Sequence, residues 1–520
     1  MEACFEPYRA LREEMEAWLV QSRQMDPPGR HGGGEDEANY SLAWFPHYLV
    51  TGSTETKAHF ESLRDLLAGW VDRACVHGYE PEAEAHHGTE PFLLFLPRYL
   101  GLFPEDAKAR ALLEDAAHHI GNWMPEIPAW FDWERNRFYG YYIGTRTVRR
   151  DREFANEMAE HFRFVHMALA AHRVLGETRY LEWALRYGRR RAEMIVEVPE
   201  GPLPIMWGAE GEPVWAADLT EAQARRSVMS HHVPGDPLIG VEMLLASGVI
   251  YALGDLFRAS GEAVFQDAAL RIVQPLVDEL HDAYADPGAA AVSYYRETFG
   301  DDSLDGRIRE MVDRMPPEQE GELAMVFPEV WRRTPPGVGK RADMVFWGIW
   351  DDATGSVAPV REPCTAALTL GYRMTGDVGY AERALKQAVR RLRMARRVLR
   401  GGREHADMGG AVCSVAAGHG RNWGWGAVTG CYGPLLLGTQ EVQGAVRPAV
   451  EVAPEVGGPG LPEEVLMLVI PPVSEEGVVR FFNGGDADAH FAWRQEGGPW
   501  HQVALRPAET IQAGLKERRA

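Results

Sequence analysis

Cysteine is scarce. Five are present among 520 residues, Cys4, Cys75, Cys364, Cys413 and Cys431, and no two have CxxC spacing. A scattered, odd set argues against a disulfide framework or a thiolate zinc motif and suits reduced thiols in a reducing compartment. Positive charge is also in deficit: 54 Lys and Arg stand against 76 Asp and Glu, a net charge of −22. Nucleic acid and anionic membrane are therefore poor partners, because phosphate-rich surfaces demand a basic face. No apolar run approaches the length of a membrane span. The opening "MEACFEPYRALREEMEAWLV" carries acids where a secretory leader needs a basic start and an apolar core. A cytoplasmic protein is expected, meeting any polymer substrate as imported fragments. Familiar reaction motifs are missing as well. HExxH, GxSxG and P-loop patterns do not occur, and "GGGEDE" lacks the strand–helix setting of a nucleotide site.

What the chain does have is helical repetition. "GETRYLEWAL" at Gly176, "GEAVFQDAAL" at Gly261 and "GDVGYAERAL" at Gly376 share one pattern. Each follows an apolar helical stretch and opens an amphipathic one. The glycine suits a left-handed C-cap, and the acid suits the start of the next helix. Looser versions stand at Thr51 and Gly101, with irregular spacing that rules out a regular solenoid.

The helices alternate in character. Residues 39–51, 87–101, 153–175, 236–259, 363–375 and 423–438 are apolar almost all round, as buried helices are. Residues 5–24, 54–78, 104–121, 177–196, 262–284 and 377–400 carry one apolar stripe among charges. Six of each kind suggest a closed ring of helical hairpins, apolar helices inside. This alternation resembles the (α/α)6 toroid of six-hairpin glycosidases and toroid polysaccharide lyases. The expected fold is mainly α, a toroid over 1–445 with a small C-terminal antiparallel β domain over 446–520. The tail supplies its short strands in "EEVLMLVIPPV", "GVVRFFNGG" and "AHFAWRQ". Two long segments, 197–235 and 286–350, read as loop insertions walling the open end. Sixteen tryptophans fit an aromatic-lined sugar cleft as well as a core.

In such a ring, the loops entering the inner helices share one face, and the helix N-termini there turn positive dipoles toward a cleft. Polar residues collected from those positions include His86, His87 and Glu90; Asn156, Glu157, Glu160, His161 and Arg163; His231, His232, Asp236 and Glu242; and Arg421, Trp423 and Trp425. His87 and Glu90 are three apart and His86 and Glu90 four, so either pair can share a helical face. Asn156, Glu160 and Arg163 fall at i, i+4 and i+7, with Glu157 and His161 as a second pair. A solvated helix cap and a buried structural network are the plain alternatives. The doublet His118–His119, late on an outer helix, reads as structural. "WFDWERNRFYGYYIGTRTVRRD" adds Tyr139, Tyr141 and Tyr142, then Arg146, Arg149 and Arg150. Phenols and guanidinium groups can stack a sugar, donate a proton and hold a carboxylate; an ordinary hairpin with a solvated basic end is the alternative.

Two chemistries follow. β-Elimination from a uronate needs a base at C5, a neutralised carboxylate and a proton donor for the leaving oxygen. Resemblance to the toroid lyases implies His87 or His161 as base, a tyrosine among Tyr139, Tyr141 and Tyr142 as acid, and Asn156, Arg146 or Arg163 on the carboxylate. Glu90 joins the catalytic set. His231, His232, Asp236, Arg421, Trp423 and Trp425 complete the substrate-binding set. Elimination of a uronate-containing oligosaccharide is the leading expectation. Glycoside hydrolysis is the alternative, including the type resembling unsaturated glucuronyl hydrolases. It needs two carboxylates across a cleft, with candidates Glu90, Asp151, Glu157, Asp236, Asp343 and Glu362. A non-catalytic sugar-binding toroid comes third. A divalent metal ion is compatible with the His and Glu residues, but no spacing is diagnostic and no ligand is assigned.

Overall fold

The computed structural model describes residues 1–23, 42, 44–82, 85, 89, 91–220, 238–282, 285–326, 346–358, 360–399, 427–454, 459–473 and 476–516. It is a mainly α toroid with a small antiparallel β unit. The chain winds outer and inner helices alternately. The first pairs are α1 (Glu2–Arg23) with α2 (Trp44–Thr51), α3 (Thr54–Ala74) with α4 (Leu96–Leu102), and α5 (Ala107–Ala117) with α6 (Arg163–Leu175). Then come α7 (Thr178–Val196), followed by α8 (Ile239–Ala246) and α9 (Val249–Ser260), and α10 (Ala263–Val273), followed by α11 (Asp286–Phe299). Finally α12 (Asp305–Asp313) precedes α13 (Thr365–Thr375), and α14 (Val378–Leu399) precedes α15 (Ala427–Leu437). The outer ring closes where α1 packs against α14, and the inner ring where α15 packs against α2.

The repeated glycines do what their chemistry suggests. Gly176, Gly261 and Gly376 sit at φ +78°, +71° and +70° and cap α6, α9 and α13. Each N–H closes on the carbonyl four residues back, at 2.7–2.8 Å. Burial follows the expected sides. Nine consecutive residues of α6, Arg163 to Ala171, are buried, whereas α7 buries one stripe through Tyr180, Trp183, Tyr187 and Arg191.

Four features depart from expectation. The helix expected over 153–175 starts only at Arg163. Glu157–Met158 is instead a strand paired with Met206–Trp207, followed by a 3-10 turn at Ala159–Phe162. The i, i+4 pairing of Glu157 with His161 on a helix is therefore corrected. The apolar stretch 236–259 bends by 64° between α8 and α9, where Gly248 takes φ +66° and its carbonyl accepts from His166 Nε2 at 2.9 Å. Segment 286–350 is not all loop: α11 lies in the inner layer between α9 and α13, and α12 packs on α13. Segment 197–235 contributes the short strands Met206–Trp207 and Pro213–Val214. Among the described residues, no single helix is long and apolar enough to cross a membrane.

Past α15, a two-residue hairpin joins Gln440–Val442 to Ala445–Arg447. Two three-stranded antiparallel sheets follow. One orders Val450–Pro454, Ala489–Gln495 and His501–Leu505; the other orders Val465–Ile470, Gly477–Asn483 and Thr510–Leu515. Phe481 meets Phe491 and Trp493 across the layers at 5.0 and 5.8 Å, and Arg480 ties this unit to Tyr372 Oη and the Gly376 carbonyl.

Candidate functional site

At the end of the ring where the inner helices begin, three segments meet. The first is Tyr79 to Glu82 with Ala85, the second Arg137–Arg150, and the third Asn156–Arg163. Ala85 N–H donates to the Tyr141 carbonyl at 3.2 Å, and Thr145 and Arg146 N–H donate to Glu80 and Pro81. Tyr141 N–H donates to the Phe154 carbonyl. Gly140 permits this crossing, since a Cβ there would lie 2.0 Å from the Arg149 carbonyl oxygen. The tyrosine loop thus lies against the stretch leading to His86 and His87, and against the approach to α6.

Within this junction, Tyr141 is fully buried and edge-on to Tyr142, with ring centroids 5.6 Å apart. Tyr139 is half-buried under the Arg150 guanidinium, 3.7 Å from the ring centroid. Arg149 covers Phe154 in the same way, at 3.3 Å. Arg146 is exposed. Asn156 is buried and donates to the Glu153 carbonyl at 2.9 Å.

Buried carboxylates dominate the floor. Glu157 accepts from Phe138 N–H at 3.0 Å, Tyr187 Oη at 3.2 Å and Arg191 Nη1 at 3.4 Å, and Arg191 lies over Trp207. This ion pair joins the hairpin, the short sheet and α7. Glu160, on the 3-10 turn, is 1% exposed, and Glu242, in the first turn of α8, is 3% exposed. That turn and α8 pack directly on each other. Arg163, 1% exposed, opens α6 beside them.

His161 is not presented as a base. Its Nδ1 accepts from Met158 N–H at 3.0 Å, and its Nε2–H donates to the Gly140 carbonyl at 3.3 Å. Both nitrogens are spent on backbone, the ring is fully buried, and burial pulls its pKa from 6.5 to about 4. It positions the loop; the expectation of His161 as proton acceptor is corrected on that ground. His119 is likewise bound to the Pro128 carbonyl and Met124 N–H.

Of the other carboxylates collected from the sequence, Glu362 is fully buried, held by Arg390 and Gln319 N–H, and Asp151 is exposed beside Arg149. His86, His87, Glu90, His231, His232, Asp236, Asp343, Arg421, Trp423 and Trp425 lie outside the described residues. Among the described residues, no three His, Cys, Asp or Glu side chains are grouped to hold a metal ion.

One cluster escaped the sequence reading. A cavity of about 80 Å³ is lined by Pro46, Arg98, Tyr251, Glu297, Arg373 and Pro434, which come from six inner helices. A void touched by that many helices lies on the ring axis. The signal was present: Arg98, Arg173, Arg258 and Arg373 each stand three residues before a glycine, Gly101, Gly176, Gly261 and Gly376. A lone arginine near the end of an apolar helix complements the C-terminal dipole and needs a buried partner.

No protein-family model matches the chain, and no curated protein matches it. Among solved structures it is similar to a GH127 β-L-arabinofuranosidase from Geobacillus stearothermophilus T6. Identity is 11%, coverage is 96% of this chain and 75% of that chain, and the TM-score is 0.28. A likeness of that degree says nothing about activity.

Proposed function

We propose that this chain is a carbohydrate-active toroid enzyme that hydrolyses glycosidic bonds, with Glu160 and Glu242 as its carboxylate pair. One observation carries the reading: two buried glutamates stand on directly packed elements at the mouth end, while His161 there is locked in its neutral form. Glycoside hydrolysis requires a carboxylic acid to protonate the leaving oxygen and a second carboxylate to attack or activate water.

The test is a panel of neutral and uronate oligosaccharides, read both for released reducing ends and for the ultraviolet absorbance of a new double bond. Reducing ends without absorbance are expected. Glu160→Gln and Glu242→Gln should each lower kcat by roughly 10²-fold or more with the melting temperature held. Unchanged kcat in both variants would sink the assignment.

Elimination from a uronate is the second reading, and the tyrosine loop favours it. The carbonyl of Tyr141, between Tyr139 and Tyr142 on the loop, accepts from Ala85 N–H, two residues before His87 in the sequence, and Arg146 is exposed on the same loop. Rising absorbance with uronate oligomers would select it. His87→Ala would then be the first variant to make.

A further inference from the structure

The axial cavity is sealed from the end where the inner helices finish. The hairpin Gln440–Arg447 turns there at Gln443 and Gly444, both with positive φ (+47° and +72°), and the four repeated arginines brace it. Arg98 Nε donates to Glu441 at 3.0 Å, and Arg173 Nε to the Gln443 carbonyl at 3.2 Å. Arg258 pairs with Asp255, which accepts from Gln443 N–H at 2.7 Å. Arg373 pairs with Glu297, which accepts from Gln440 Nε2 at 3.0 Å. This plug leaves about 80 Å³ between mainly apolar walls. An engineered void of about 150 Å³ admits benzene, so the axial one is too small for a ring-sized ligand.

A roomier pocket opens beside the mouth. The chain direction of α7 brings its last two turns to that end. There they meet the hairpin between Phe131–Asp132 and Arg137–Phe138, and the turn at Ala209 to Gly211. The pocket between them measures about 260 Å³, and Glu160 and Glu242 are not among its walls.

Guanidinium groups crowd this pocket, in a chain whose net charge is −22. Arg135 pairs with Asp132, and Glu157 with Arg191, so those charges cancel. Two cations remain. Arg137, 9% exposed, donates only to neutral carbonyls: Nε to Phe138, Nη1 to Gly208 and Ala209, and Nη2 to Ala155. One Nη2–H is left over. Arg190 is half-buried and has no hydrogen bond or ion pair among the described residues. Arg186, four residues back on α7, repels it, as like charges at that spacing do. Arg186 Nε donates to Asn136 Oδ1, and a guanidinium can only donate. The Asn136 oxygen is therefore taken, and its Nδ2–H groups face the pocket's ligand as donors. Against these donors stands one acid without a cation, Glu210, exposed at the rim. It can accept from a hydroxyl. The fork of an arginine matches a carboxylate or a phosphate.

We propose that this pocket binds a small hydroxylated oxyanion, a carboxylate or a phosphate carried on a ring-sized group. It does not depend on hydrolysis at the mouth. Isothermal titration of the full chain at fixed ionic strength tests it, with D-glucuronate and D-glucose 6-phosphate as the anions and D-glucose as the neutral control. At least one anion should bind one-to-one, about tenfold or more tighter than D-glucose, and the order of the two assigns carboxylate or phosphate. Arg190→Gln should melt as the unaltered chain does, because the side chain has no partner to lose, and should weaken anion binding about tenfold or more. Asn136→Asp, which sets an acid where the amide donates, should weaken it too. Glu160→Gln and Glu242→Gln should keep the affinity, so an anion held here is told apart from one held at the mouth. No binding by either anion, equal binding of D-glucose, or unaltered affinity in Arg190→Gln would each overturn the proposal.

Discussion

Glu157 and Arg191 show how a residue that looks catalytic in sequence can be structural. Both are almost fully buried, and the carboxylate already accepts from Phe138 N–H, Tyr187 Oη and the guanidinium. A satisfied ion pair of this kind adds little net stability over apolar packing, but breaking it leaves a lone charge in a dry interior. Arg191→Leu is therefore expected to cost about 3–5 kcal/mol in urea denaturation. Adding Glu157→Gln should recover part of that loss, since the stranded charge is gone. A double variant less stable than Arg191→Leu would refute the account. His161 follows the same logic, because a histidine bonded to backbone through both nitrogens has no lone pair left for a substrate proton.

At the scale of the element, Gly176 and Gly261 are the cleanest positions to test. Both hold φ above +70°, and a Cβ at either would meet nothing within 4 Å. The cost of alanine is then purely conformational, about 1 kcal/mol each. Gly176→Asn and Gly261→Asn should lose less, because asparagine tolerates the left-handed region. Equal losses for Ala and Asn in thermal denaturation would show that these caps do not set the energy. The caps, and the alternation of apolar with striped helices, were legible because both are local signals that period and composition carry. The breaks at Arg163 and Gly248 were not. One is set by pairing with Met206–Trp207, some fifty residues on, and the other by a hydrogen bond from His166. The helix α11 was hidden inside a segment whose prolines and glycines read as loop. The arginine plug was legible in principle, since Arg98, Arg173, Arg258 and Arg373 keep one distance from a glycine. What they hold, the hairpin at Gln440, comes from beyond the last helix, and spacing cannot announce that. At the mouth, the tyrosine loop and the approach to α6 do lie together, whereas the inward turn of His161 depended on a crossing at Gly140 that only tertiary contact fixes.

Across the whole molecule, the buried titratable groups make stability depend on pH. Burial lowers His59, on the outer ring, and His161 and His166, within it, to about 4 from an ordinary 6.5. Between those values the unfolded chain binds three protons that the folded chain refuses, so stability falls as pH drops from about 6.5 to about 4. His47 and His119 shift in the same direction. Asp255, under the hairpin, works against them. Burial raises it to about 7, so the folded chain keeps a proton that the unfolded chain has released, and stability falls as pH rises toward 7. The three histidines at about 4 against Asp255 alone leave a net uptake of at least about two protons on unfolding, roughly 3 kcal/mol per pH unit or more across pH 5–6. Urea midpoints at pH 7.0, 6.0 and 5.0 would read this directly, as would the proton uptake on unfolding. His161→Gln, with its own amide donor and acceptor, should flatten the slope by up to about half. A midpoint that rises toward pH 5 would mean Asp255 and the plug it anchors outweigh the histidines. The floor of the ring would then govern its acid response.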